Sequence, residues 1–193
     1  ISMLGPNRKE QASFDFEIGI DHPPSAWRAG ETVREQYIIR VPAHLSSGQY
    51  IWHVKLVDPE GNILGEYEHT NLLRVNVPER IFVKPTDMTM LGIELGNLAT
   101  LSGYQIIDQS ILDSGILNIK LVWEANVNIT EDYHVFVHIL DESGNIVAQS
   151  DGKPANWTRP TAGWLPGEYI FDDHTIVLSS DIETGSYIIN AGL

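Results

Sequence analysis

The chain has 193 residues, 42% of them hydrophobic, with 26 acidic against 12 basic residues and a net charge of −14. That balance argues against nucleic acid and anionic lipid as partners, because both are held chiefly by Lys and Arg. Cysteine is absent, which excludes disulfides and thiolate chemistry, and no apolar run of about eighteen residues is available to cross a membrane as a helix.

In chain order, residues 1–12 are polar and unpatterned after Leu4 and are expected to form a tail or a frayed edge. Phe14, Phe16, Ile18 and Ile20 alternate with Asp15, Glu17 and Gly19, the period of a half-buried strand, and Pro23 and Pro24 end it. A turn around Gly30 leads to a predicted strand over 33–41, stopped by Pro42. Further strands are predicted over 50–57, 63–67 and 72–77, with a connector at 80–85. Beyond it, short strands are expected at 92–95 and 104–107, residues 111–114 lead into a turn at 114–115, and a clear alternating strand follows at 117–125. The stretch from Tyr133 to Leu140 alternates again, turns at 141–145 and returns from Ile146; strands over 169–178 and from Tyr187 complete the chain. Many short strands punctuated by Gly, Pro, Asn and Asp indicate an all-β fold.

Two internal repeats organise these elements. Residues 54–64 align without gaps on 137–147, each carrying D-x-x-G-N, the pattern of a hairpin turn with glycine at the left-handed position. Calcium binding at these turns is the lesser reading, since a calcium loop needs more oxygen ligands and a distal Glu. Residues 27–56 align on 164–193, 137 positions apart, sharing W-x-x-G-E and G-x-Y: Trp27 with Trp164, Gly30 with Gly167, Glu31 with Glu168, Gly48 with Gly185 and Tyr50 with Tyr187. We read this as one supersecondary unit used twice. The fold class expected is therefore all-β, with tandem immunoglobulin-like or jelly-roll-like antiparallel β-sandwiches. The first occupies 1–85 and is short on its amino side; the second occupies 86–193 and is expected to lack its final hairpin.

One loop carries the candidate ligand-binding residues Trp157, Asn156, Arg159 and Trp164, with Asp151, a further candidate, and Asp172 expected near it. A sugar site uses an aromatic face against C–H patches and fixed polar groups for hydroxyls. The bland alternative is that Trp164 is a sandwich anchor, because Trp27 repeats it; Trp157 has no such counterpart. His134, His138 and His174 could form a metal cluster, but His134 and His138, on one strand face, lie about 13 Å apart at the rise of a strand, too far for one metal ion, so neither a metal nor a cofactor is expected. Asp151 and Glu168 could be a carboxylate pair of a glycoside hydrolase, a reaction that needs two carboxyls at a set separation. No G-x-S-x-G nucleophile motif is present, and two N-x-T patterns, at Asn128 and Asn156, are too short to be informative.

Across 100–193 a longer pattern stands out. It comprises Asp132, Tyr133, Val135, Phe136, Val137, His138, Leu140, Asp141, Gly144, Ala148, Gln149, Asp151, Pro154, Pro160, Thr161, Trp164, Pro166, Gly167, Glu168, Asp172, His174, Gly185 and Tyr187. This resembles the soluble carboxyl-terminal β-sandwich module of bacterial membrane glycosyltransferase-like proteins of the dolichyl-phosphate-mannose mannosyltransferase type. The resemblance implies a non-catalytic extracytoplasmic accessory domain, held on the outer side of the cytoplasmic membrane by its parent protein and making no membrane contact itself. The partners expected are a glycan or another protein; a purely structural spacer and a glycoside hydrolase are the alternatives.

Overall fold

The computed structural model describes residues 1–107 and 115–193, so the segment 111–114 that leads into the expected turn lies outside the described residues. The chain forms two compact units, Ile1–Pro78 and Glu79–Leu193, and both are built of antiparallel β-structure, as the alternation requires. The division falls before the 80–85 connector because that segment is bound into the second unit: Tyr169 N donates to Ile81 O, and the Arg80 guanidinium reaches Glu168.

The first unit consists of β1 (Ser2–Leu4), β2 (Glu10–Ser13), β3 (Gly48–Val57), β4 (Ile63–Glu68) and β5 (Leu73–Val75). The sheet order is β2-β1-β3-β4, with β5 on the early part of β3. Met3, Leu45, Tyr50 and Val75 form its small core, against which Phe14, Trp52 and Leu73 pack. In place of the expected tail or frayed edge stands a hairpin whose Met3 is fully buried, because Ser2, Met3 and Leu4 pair with His53, Trp52 and Ile51 of β3. Three residues, with the two apolar ones adjacent, give no period to read. The opposite happens at 14–20 and 33–41, where the sequence alternates but no ladder forms. Alternation reports which side chains turn inward; a strand also needs a neighbour for its backbone groups, and the first unit supplies none there among the described residues.

In the second unit β6 (Thr89–Leu95), β7 (Ala99–Ile106), β8 (Ile116–Ala125) and β11 (Tyr169–Val177) make one sheet, ordered β11-β8-β7-β6. The other sheet, β10-β9-β12, contains β9 (Val135–Leu140), β10 (Ile146–Gly152) and β12 (Ile188–Gly192). Leu117, Ile119, Leu121, Trp123 and Ala125 on one face of β8 meet Val135, Val137 and Ile139 on one face of β9, together with Trp164, Ile170 and Ile176. Period-two patterning thus places two apolar faces against each other, each aliphatic residue contributing about 1.5–3 kcal/mol of transfer free energy. No helix among the described residues is long and apolar enough to cross a membrane.

The repeats are reproduced bond for bond. The 3-10 turns Pro24–Ala26 and Thr161–Gly163 each run into the repeated tryptophan. Trp27 Nε1 donates to His22 O at 2.8 Å, and Trp164 Nε1 donates to Arg159 O at 2.8 Å. Gly30 and Gly167 follow with φ of 81° and 79°. Glu31 accepts from Arg28 N and pairs with His22; Glu168 accepts from Leu165 N and pairs with Arg159. Tyr50 and Tyr187 each donate their hydroxyl to the carbonyl four residues back. At both D-x-x-G-N hairpins the aspartate accepts the backbone and side-chain N–H groups of the asparagine, and a β-bulge sits at the same step. The β1–β2 hairpin is a third example without the sequence pattern, and its Arg8 takes the positive φ (55°) that Gly144 takes in β9–β10.

Candidate functional site: a displayed tryptophan on a strained loop

Between β10 and the second 3-10 turn the backbone does something that neither propensity nor alternation foretells. Ala155, Asn156 and Trp157 are consecutive residues with φ of 51°, 51° and 70°. The left-handed region costs a residue with a Cβ about 1 kcal/mol or more, so three in succession persist only where the surroundings hold them. What holds them is visible. Trp157 N donates to Lys153 O, Thr158 N and Oγ1 to Ala155 O, and Arg159 N to Pro154 O. Ala155 N donates to Asp172 Oδ1 at 2.7 Å.

Asp172 lies on β11 with 1% of its surface exposed and also accepts from Trp123 Nε1 at 3.2 Å and from His174 Nε2 at 3.0 Å. His174 Nδ1 in turn meets Ser150 Oγ of β10 at 3.0 Å. Asp172 and His174 sit two apart on β11, so both point into the sandwich. Serine, histidine and aspartate therefore stand in line, in an order that could suggest a nucleophile. Their place is between the sheets, where the chain satisfies buried polar groups and ties β10 to β11 behind the loop. The spaced D-x-H at 172–174, part of the longer pattern across 100–193, is the sequence signal for it.

The product of this support is Trp157, 63% exposed at the loop apex. Its indole lies against Gly152, where an added Cβ would come within 3.4 Å of Nε1. The His134 ring meets it edge-on at 5.5 Å, and Lys153 Nζ stands 5.9 Å from its centroid while donating to Asp132 Oδ2 at 3.0 Å. An open aromatic face with an imidazole, an ammonium and a carboxylate beside it can stack on an apolar surface and offer hydrogen bonds at its edge.

The other residues singled out from the sequence separate. Asn156 is exposed beside Trp157 and belongs with it. Trp164 is 1% exposed, part of the core, with its N–H already given to Arg159 O. Arg159 and Arg80 both pair with Glu168, which is completely buried and also accepts from Leu165 N. Glu168 is thus an internal clamp between 80–81 and the loop. Asp151 faces the other way on β10 and meets His138 Nε2 at 3.1 Å. The two carboxyls considered as a hydrolase pair have separate partners, one inside the fold and one on its surface. The three histidines likewise stand apart: His134 at Trp157, His138 at Asp151, His174 within the sandwich. At the hairpins, hydrogen bonds from Asn62 and Asn145 hold the Asp58 and Asp141 carboxyls below the usual carboxylate range. Their oxygens serve the turn itself.

The first unit carries the same loop with one residue fewer. Gly19 N donates to the Glu35 carboxylate as Ala155 N does to Asp172, and Gly19 has φ of 74°. From there Ile20 and Asp21 lead to His22, whereas Asn156, Trp157 and Thr158 lead to Arg159. The anchoring bond is a property of the repeat; the displayed indole belongs to the second unit alone. In comparisons with protein families, with curated proteins and with solved structures, no match to the chain was found.

Proposed function

We propose that this chain is a non-catalytic accessory module that binds carbohydrate through Trp157, within the extracytoplasmic part of a membrane glycosyltransferase-like protein. The observation that carries the binding half is the combination of an exposed indole with a run of three left-handed residues anchored on a buried carboxylate. Local strain supported by the fold is characteristic of places where a side chain must be held in position. The membrane-protein half rests on the sequence resemblance across 100–193. The engagement of Glu168 by two arginines and of Asp151 by His138 supports a non-catalytic role. The test is a titration with bacterial and plant oligosaccharides, read by tryptophan fluorescence and by the indole N–H resonance of Trp157, with Trp157→Ala as control. A saturable change confined to Trp157 and lost in the variant is expected. A response that survives in Trp157→Ala, or no response to any glycan, would overturn the sugar-binding reading in favour of a spacer or a protein-binding module.

A further inference from the structure

The repeat makes one part of the first unit legible through the second. β11 is held along its length by β8, in a register that sets Ile170 opposite Trp123, Asp172 opposite Leu121, His174 opposite Ile119 and Ile176 opposite Leu117. Tyr169 turns its N–H away from β8 to Ile81 O, while Glu168 O and Leu178 N bond to Ala125 N and Gly115 O. The backbone groups of alternate residues, 170, 172, 174 and 176, therefore face β8. In the first unit the matching residues are Val33, Glu35, Tyr37 and Ile39, 137 positions earlier.

Their side chains already play the parts of their counterparts. Glu35 holds the Gly19 amide, as Asp172 holds Ala155. Tyr37 donates its hydroxyl to Glu35, in the place where His174 bonds Asp172, and stacks on Phe16 at 4.4 Å. Val33, Tyr37 and Ile39 are half-buried, and Ile38 between them is 93% exposed. What distinguishes 33–39 from β11 is that no ladder runs along it among the described residues.

We infer that residues 33–39 are an acceptor edge for one antiparallel strand of β8 character. The second unit specifies that strand's chemistry. It has aliphatic side chains at alternate positions, facing Ile39, Tyr37 and Glu35 as Leu117, Ile119 and Leu121 face Ile176, His174 and Asp172. It has an indole opposite Val33, whose N–H meets the Glu35 carboxylate as that of Trp123 meets Asp172. Main-chain bonds supply the affinity of such strand addition, and the alternate side chains supply its selectivity. The surface is independent of Trp157, so the two readings stand or fall separately.

The probe is a synthetic peptide with the sequence of β8, Ile116–Ala125, added to the 193-residue chain and followed by amide hydrogen exchange. In the free chain the amides of 33, 35, 37 and 39 are expected to exchange rapidly, while those of 170, 172, 174 and 176 are protected. Saturating peptide should slow the first set at least tenfold and leave the second unchanged. The peptide carrying Trp123→Phe should bind about fivefold more weakly, the size of one net hydrogen bond; the peptide carrying Ile119→Pro should not bind. Three results would overturn the inference: free-chain protection at 33–39 equal to that of β11, no protection at any soluble peptide concentration, or protection that rises with protein concentration alone, which would make the occupant a second copy of the chain.

Discussion

Asp172→Ala tests the link between the interior of the second unit and its surface. The carboxylate is buried and accepts three hydrogen bonds, from Trp123 Nε1, His174 Nε2 and Ala155 N. Each donor left without a partner inside the fold costs about 1–3 kcal/mol. These donors share one acceptor and can partly relax, so the penalties do not simply add. The expected destabilisation is about 3–5 kcal/mol, of the order measured when one partner of a buried charged network is removed. Urea unfolding followed through the Trp123 indole resonance reads this directly. Glu35→Ala removes the corresponding bond in the first unit, where the carboxylate is exposed, and should cost under about 1 kcal/mol. A loss below about 1 kcal/mol for Asp172→Ala would refute the assignment of the carboxylate as the common acceptor. So would an unchanged Trp157 environment in that variant, since the loop could then hold its conformation without Asp172.

Other substitutions probe the remaining parts. Trp164→Ala should lower the stability of the second unit by about 3–5 kcal/mol, because the side chain is fully enclosed. Trp27→Ala, at a site 37% exposed, should cost clearly less, and thermal melts of the two variants compare them. Glu168→Gln leaves Arg80 and Arg159 facing a neutral group in a closed site and should cost about 3–5 kcal/mol in denaturant unfolding, whereas a solvated carboxylate would give almost none. Asp141 has its folded-state pKa depressed by Asn145. Its contribution is therefore fully present above the unfolded pKa and disappears as pH falls through the folded one. The acid arm of the stability profile should flatten in Asp141→Asn, and a carboxyl titration followed by NMR should place the Asp141 midpoint below the usual aspartate range.

The alternating strands were the readable part of this chain, and the reason is specific. β8 and β9 bury one face each, so their inward residues Leu117, Ile119, Leu121, Val135, Val137 and Ile139 had to be apolar at every second position. The same rule misled at 14–20 and 33–41, where side chains turn inward by twos without a ladder beside them, since composition records burial but not the presence of a neighbour. β1 escaped because three residues cannot display a period. At the candidate site, the burial of Trp164 was legible from its repetition at Trp27. The left-handed run at Ala155–Trp157 was not, because only Asn156 among those residues favours that conformation and the cause lies on a different strand, at Asp172. Glu168 was legible as a repeated residue, but its burial depended on Arg80, which no local pattern connects to it.

The shortened loop of the first unit has a further consequence. Between the carboxylate-bound amide and the residue whose carbonyl receives the tryptophan N–H, one copy has two residues and the other three, yet both end bonds are intact. Anchorage and display are thus separate modules within a single turn. The fold fixes two posts and leaves the span between them adjustable, so the residue presented at the apex can change in kind and in number while the sandwich beneath it stays the same. Such a span is a natural graft point: inserting one residue between Ile20 and His22 would give the first unit the same reach as the second.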